Sequence, residues 1–127
     1  MKIIILFLIA VIFDAAGDAL NDSHRKGIGH ALQAIFVGLL LMSPFFIDVA
    51  LNSWGWYLAS YICLRIALFD PIYNITRGLK WNFIGTTSLW DKTRMAFNPP
   101  ASGEIFGRAI FLAAGIFMII NELLKIA

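Results

Sequence analysis

Four long apolar segments alternate with polar stretches along the chain, and the connection between the third and fourth is much longer than the others. Each segment approaches the roughly 20 residues that a helix needs to cross a bilayer. The pattern predicts an all-α integral membrane protein, a four-transmembrane-helix bundle that forms a single polytopic domain over residues 1–127. The predicted transmembrane helices cover residues 2–20, 27–51, 53–69 and 102–127.

The connection over residues 70–101 predicts one or two short interfacial amphipathic helices between helices 3 and 4. Asp70 followed by Pro71 is typical of a helix N-cap with proline at the first helical position. Gly78 is a typical helix end. A second short helix is predicted over about residues 88–97, from a capping-box pattern. Both pieces mix aromatic and basic residues, which favours a position in the headgroup region.

The composition agrees with a membrane environment. Hydrophobic residues make up 60% of the chain and charged residues only 14%, whereas a soluble domain has about 25% charged residues. Membrane lipids are therefore the expected surroundings and partners. The net charge of +2, without a basic run, gives no indication of a nucleic-acid partner. The single cysteine, Cys63, excludes an intrachain disulfide.

Basic residues in the loops predict the orientation. They concentrate in the first and third connections, whereas the second contains Asp48 and no basic residue. Because cytoplasmic loops carry an excess of Lys and Arg, we expect the first loop and the connection over residues 70–101 to be cytoplasmic, with both termini outside. The expected location is the cytoplasmic membrane of a bacterium or phage host. The loop residues that carry this prediction are Arg25, Lys26, Arg77, Lys80, Lys92 and Arg94.

The first segment also has features of a signal peptide, with Lys2, an apolar run and small residues near Ala16. An aspartate directly after the apolar run is unusual for a cleavage region. We therefore favour a membrane-spanning helix for this segment.

A stripe of three aspartates marks the end of the first apolar segment. Asp14, Asp18 and Asp22 are spaced four residues apart, so they fall on one helix face. An aspartate near the centre of a membrane helix costs about 2.5–3.5 kcal/mol on insertion scales. Such residues usually have a partner or a functional role. One interpretation is structural, a buried ion pair of Asp14 with Arg65 or Arg108.

The other interpretation is a site open to the cytoplasm. Carboxylates and one imidazole suit a divalent metal such as Mg, Mn or Zn, which could activate water or hold a lipid phosphate. Arginine side chains suit the phosphate oxygens. The candidate metal ligands are Asp14, Asp18, His30 and Glu104, the candidate phosphate-binding residues are Arg65 and Arg108, and the surrounding polar network is Gln33, Asp70 and Asn74.

Small residues predict close helix contacts, within the chain or in a homo-oligomer. Gly103 and Gly107 form a G-x-x-x-G step, and small faces let membrane helices approach closely. Further small residues lie on the second and fourth helices at Ala34, Gly38, Ala109, Ala113, Ala114 and Gly115.

Three function classes stay open from the sequence, which does not decide whether the protein is an enzyme. A metal- or phosphate-binding site acting on a lipid requires Asp14, Asp18, His30 and an arginine to converge. A structural, accessory or lysis-type (holin-like) membrane protein requires Asp14 to be buried and paired. A small oligomeric ion or proton transporter requires a polar path past Asp14.

Overall fold

The computed structural model describes residues 2–46, 53–83 and 102–126, and this part of the chain contains four helices and no strand. By length and composition, all four are suited to cross a membrane, which confirms the predicted all-helical fold with four candidate spans. The helices are α1 (Lys2–Asp22), α2 (Lys26–Phe46), α3 (Trp54–Thr76) and α4 (Ser102–Ile126).

A three-residue turn joins α1 to α2. His24 adopts the left-handed conformation, with φ of 64°, which is uncommon outside glycine but less so for histidine than for most residues. The Arg25 N–H donates to the Leu20 carbonyl at 2.9 Å, and the His24 N–H donates to the Asn21 carbonyl at 3.3 Å. These two bonds form a Schellman motif that ends α1. The chain reverses within this turn, so α2 packs back along α1.

The centre of the fold is formed by α1 and α3, with α2 packed on α1 and α4 packed on α3. The Tyr61 ring meets Phe7 edge-on, with centroids 5.5 Å apart, and stacks with Phe36 at 6.5 Å. These contacts join α1, α2 and α3. Much of α2 and α4 remains exposed, including the apolar side chains of Ile35, Val37, Leu41, Phe106, Phe117 and Leu124. That surface is unfavourable in water and ordinary in lipid.

Glycines bring the helix backbones close together at two places. A Cβ atom added at Gly29 would lie 2.7 Å from the Gly17 carbonyl oxygen, so α1 and α2 are in backbone contact there. A Cβ at Gly115 would lie 3.1 Å from the Ser60 carbonyl oxygen, and the Ser60 hydroxyl donates to the Gly115 carbonyl at 2.7 Å. Gly115 therefore joins α4 to α3 within the chain, whereas a Cβ at Gly38 would meet nothing within 4 Å.

Helix α3 does not end near Phe69, and the predicted short helix beginning at Asp70 is wrong. The helix continues through Pro71 to Thr76. Proline removes the N–H that would bond to the Ala67 carbonyl four residues earlier. The side chain of Arg108 on α4 donates to this carbonyl in place of the missing N–H. Helix α3 therefore continues where the local sequence pattern predicts a new helix start.

The predicted stop at Gly78 is confirmed. Gly78 has a φ of 73°, the Leu79 N–H donates to the Asn74 carbonyl at 2.8 Å, and the Gly78 N–H donates to the Ile75 carbonyl at 2.9 Å. These bonds form a Schellman motif, and glycine enters its left-handed position without steric cost.

The other helix ends differ modestly from the predictions. Helix α1 extends two residues beyond Leu20, to Asp22, and α2 begins at Lys26. The predicted end of the second helix at Leu51 and the second interfacial helix over residues 88–97 lie outside the described residues. The longer α3 places Arg65 midway between Trp54 and Thr76 instead of near the inner end.

Candidate functional site: a polar seam between α1 and α3

The deepest aspartate of the stripe is paired with an arginine. Arg65 Nε donates to Asp14 Oδ2 at 2.7 Å, and the side chains are 44% and 8% exposed, respectively. The Arg65 guanidinium carbon also lies 4.3 Å from the centre of the Phe69 ring, within cation–π range. Because Asp14 is almost entirely removed from solvent, its charge depends on this partner.

The second aspartate contacts α2. Gln33 Nε2 donates to Asp18 Oδ1, and Asn21 Nδ2 donates to Gln33 Oε1 at 2.9 Å. This chain of amides lies beside the close approach of Gly17 and Gly29, because the added Cβ at Gly29 would also lie 2.2 Å from Asn21 Oδ1. Gln33 therefore belongs to a polar network that joins α1 to α2.

The third aspartate contacts α3 again. The Tyr73 hydroxyl donates to Asp22 Oδ2, and Arg77 Nη1 donates to the Tyr73 oxygen at 2.8 Å. Asp22 and Tyr73 are 51 positions apart in the chain, the same separation as Asp14 and Arg65. Helices α1 and α3 therefore pair with the same sequence separation over about two helical turns.

A second stripe on α3 faces the aspartates. Arg65, Phe69, Tyr73 and Arg77 are spaced four residues apart. The Phe69 and Tyr73 rings stack with centroids 6.1 Å apart, and the Arg77 guanidinium carbon lies 5.5 Å from the Tyr73 ring centre. Tyr73 was not among the predicted partners of α1, although the spacing that reveals this face can be read directly from the sequence.

Arg108, one of the predicted phosphate-binding residues, contacts α3. Its Nη1 donates to the Ala67 carbonyl at 3.3 Å, and its Nη2 lies 3.4 Å from Asp70 Oδ2. The Ala67 carbonyl is the acceptor that Pro71 leaves without its usual helical donor. An arginine of α4 thus compensates for a proline within α3, and Asp70 assists by pairing with the same arginine.

Asn74, a further predicted member of the polar network, contacts the segment that follows α3. Its Nδ2 donates to the Trp81 carbonyl at 3.2 Å and to the Phe83 carbonyl at 2.8 Å. Asn74 is buried, so these bonds satisfy its amide and fix the start of the long connection against the helix end.

Replacing Arg108 by leucine should lower the free energy of unfolding by about 1 kcal/mol, because the Ala67 carbonyl loses a charged donor. In a Pro71→Ala background the alanine N–H can bond to that carbonyl, so the same replacement should cost about half as much. Equilibrium unfolding in mixed detergent micelles measures both backgrounds. An equal cost in the two would mean that the bond to the Ala67 carbonyl does not contribute to the effect of Arg108.

The predicted metal ligands do not assemble in the described part of the chain. No three His, Cys, Asp or Glu side chains there approach closely enough to hold a metal ion together. Asp14 is engaged with Arg65, and His30 is exposed on α2. The side chain of Glu104 lies outside the described residues.

Glu122 is a buried acidic residue that was not among the predicted site residues. It is only 2% exposed, on the apolar helix α4, and it lies within electrostatic range of Tyr57 on α3. The signal was the same one that marked Asp14, an acidic residue inside an apolar segment.

Comparison with known proteins gives no relative for this geometry: no family model matches the chain, and neither the curated proteins nor the solved structures contain a match.

Proposed function

We propose that this chain is an integral membrane protein with a structural or accessory role, in which the aspartate stripe holds the helices together. The observation that carries this proposal is the pairing of Asp14 with Arg65 near the middle of both helices, with the carboxylate buried. Asp18 and Asp22 also accept hydrogen bonds from neighbouring helices. Hydrogen bonds between side chains, together with close packing, are the interactions that associate helices in lipid.

The proposed orientation places the first loop and the connection after α3 in the cytoplasm, because Arg25, Lys26, Arg77 and Lys80 lie at those helix ends. Both termini are then outside, in the cytoplasmic membrane of a bacterium or phage host. Labelling of a cysteine introduced by Ser23→Cys with a membrane-impermeant maleimide, in a Cys63→Ala background, tests this orientation. Labelling in intact cells would contradict it.

A second candidate function is recognition of an anionic group such as a lipid phosphate. The observation that favours it is the 44% exposure of the Arg65 side chain, whose Nε donates to Asp14. Arginine binds phosphate through several parallel donors. In this alternative Asp14 positions the arginine.

Divalent-metal binding separates the structural role from the metal-dependent alternative. With protein purified in detergent, we expect calorimetry with Mn²⁺ and Zn²⁺ to give no stoichiometric site, and Asp14→Asn to lower stability because Arg65 loses a charged acceptor. His30→Ala, at an exposed position, should change neither result. Stoichiometric metal that is lost in Asp14→Asn, Asp18→Asn and His30→Ala alike would overturn the proposal.

A further inference from the structure

A cleft of about 330 Å³ lies between α1, α2 and α3, in the halves of these helices opposite the aspartates. Its walls include Ile3 and Phe7 of α1, Leu40 and Ser43 of α2, and Tyr57 and Tyr61 of α3. The volume falls at the lower end of the range of small-molecule sites, about 300–1,000 Å³.

The lining offers a ligand almost nothing but carbon. Among the described residues, no charged side chain lines the cleft, and the Ser43 hydroxyl already donates to the Leu40 carbonyl at 2.7 Å. The hydroxyl oxygens of Tyr57 and Tyr61 are buried and have no hydrogen-bond partner within the described residues, and they are not accessible from the cleft. Ordered water finds no polar partners on an apolar surface of this kind.

The walls are held in place by aromatic contacts between the helices. Tyr61 packs edge-on against Phe7 and stacks with Phe36 of α2, so all three helices fix its ring. Tyr57 is 3% exposed and Phe7 is 6% exposed. A cleft with such walls is formed before a ligand arrives, which lowers the ordering cost of binding.

We propose that this cleft holds one acyl chain of a membrane phospholipid, with the head group remaining outside among the neighbouring lipids. A chain of methylene groups matches the apolar surface that the described residues present, and lipid is the apolar ligand that surrounds a membrane-spanning chain. The inference rests on the membrane location in the proposed function, and it does not depend on the role of the aspartates.

Photo-crosslinking tests the proposal directly. The full chain is reconstituted in vesicles of phosphatidylcholine that carries a diazirine on one acyl chain, and adducts are located by peptide mass spectrometry. We expect adducts on Leu40 and Tyr57, both of which line the cleft; Tyr57 is only 3% exposed, so the surrounding lipid does not label it. Ser43→Leu and Gly55→Phe add volume at two lining positions and should lower these adducts at least fivefold. A Cβ at Gly55 meets nothing within 4 Å, so this variant introduces no clash at the backbone.

Gly38→Phe is the matched control, because Gly38 also has open space around its Cβ and does not line the cleft. It should leave the adducts unchanged.

Unlabelled palmitic acid that removes the adducts at low concentration would show that the cleft takes a free fatty acid and would overturn the assignment to phospholipid. Adducts at exposed Phe117 as strong as at the cleft, and unaffected by the filling variants, would overturn the cleft while leaving the membrane location intact. Absence of adducts at both places would contradict the membrane location itself.

Discussion

Replacing Arg65 by leucine is expected to lower the free energy of unfolding by about 3 kcal/mol, because removal of one partner leaves a buried charge uncompensated. The charge left behind is the Asp14 carboxylate, whose side chain is only 8% exposed. The replacement also removes the cation–π contact with Phe69. Equilibrium unfolding in mixed micelles, followed by tryptophan fluorescence, measures the loss.

Replacing Asp14 by leucine should lower the free energy of unfolding less than replacing Arg65 does. Asp14→Leu leaves Arg65 without its acceptor, but that side chain is 44% exposed and can reorient toward polar surroundings. We expect a cost of about 1 kcal/mol, as for a partly solvated ion pair. The asymmetry between the two single variants is a direct consequence of their unequal burial.

The double variant Asp14→Leu/Arg65→Leu completes the cycle and should recover most of the stability lost in Arg65→Leu, since replacing a buried pair by apolar residues is often close to neutral. Arg25→Leu, in the exposed first turn, is the matched control and should change stability little. Additive costs in the double variant would mean that the two residues are not coupled and that the ion pair does not hold α1 to α3.

Gly29→Ala should lower the free energy of unfolding by about 2 kcal/mol. The added methyl would lie 2.2 Å from Asn21 Oδ1 and 2.7 Å from the Gly17 carbonyl oxygen, and real Cβ atoms do not approach so closely. Overpacking of this kind costs about 1–3 kcal/mol, against a gain in helix propensity of at most about 1 kcal/mol. The helices α1 and α2 must therefore separate locally.

Gly38→Ala provides the control in the same helix. Its Cβ meets nothing within 4 Å, so only the helix-propensity gain remains, and the variant should be more stable by about 0.5–1 kcal/mol. Adding Asn21→Ala to Gly29→Ala should relieve only part of the loss, because the Gly17 backbone oxygen cannot move aside as a side chain can. If Gly29→Ala and Gly38→Ala have the same effect, the close approach of α1 and α2 is wrong.

Several features of this protein could be predicted from short stretches of its sequence. The four helices follow from the length of the apolar segments, since each can bury its backbone hydrogen bonds internally in lipid. Gly78 ends α3 because glycine alone enters the left-handed region freely. The common face of the three aspartates follows from helical periodicity alone.

The local sequence pattern gave a wrong prediction where a residue distant in the chain supplies a missing hydrogen-bond donor. Asp70-Pro71 is a good helix start by itself, yet α3 passes through it because Arg108 of α4 donates to the Ala67 carbonyl that Pro71 frees. Arg108 and Ala67 are 41 positions apart in the chain, so no local sequence pattern predicts their contact. The same limit applies to Gly29, whose contact with Gly17 exists only because the chain reverses at His24.

The apolar helices and the polar face of α1 follow from the amino-acid sequence. Hydrophobic length and helical periodicity are properties of consecutive residues, so they do not depend on which helices pack together. The pairing of Asp14 with Arg65 and of Asp22 with Tyr73 depends on how α1 and α3 pack against each other. The partner of a buried charge depends on which helices pack together and at what height, and that choice is made by the packing of the whole fold.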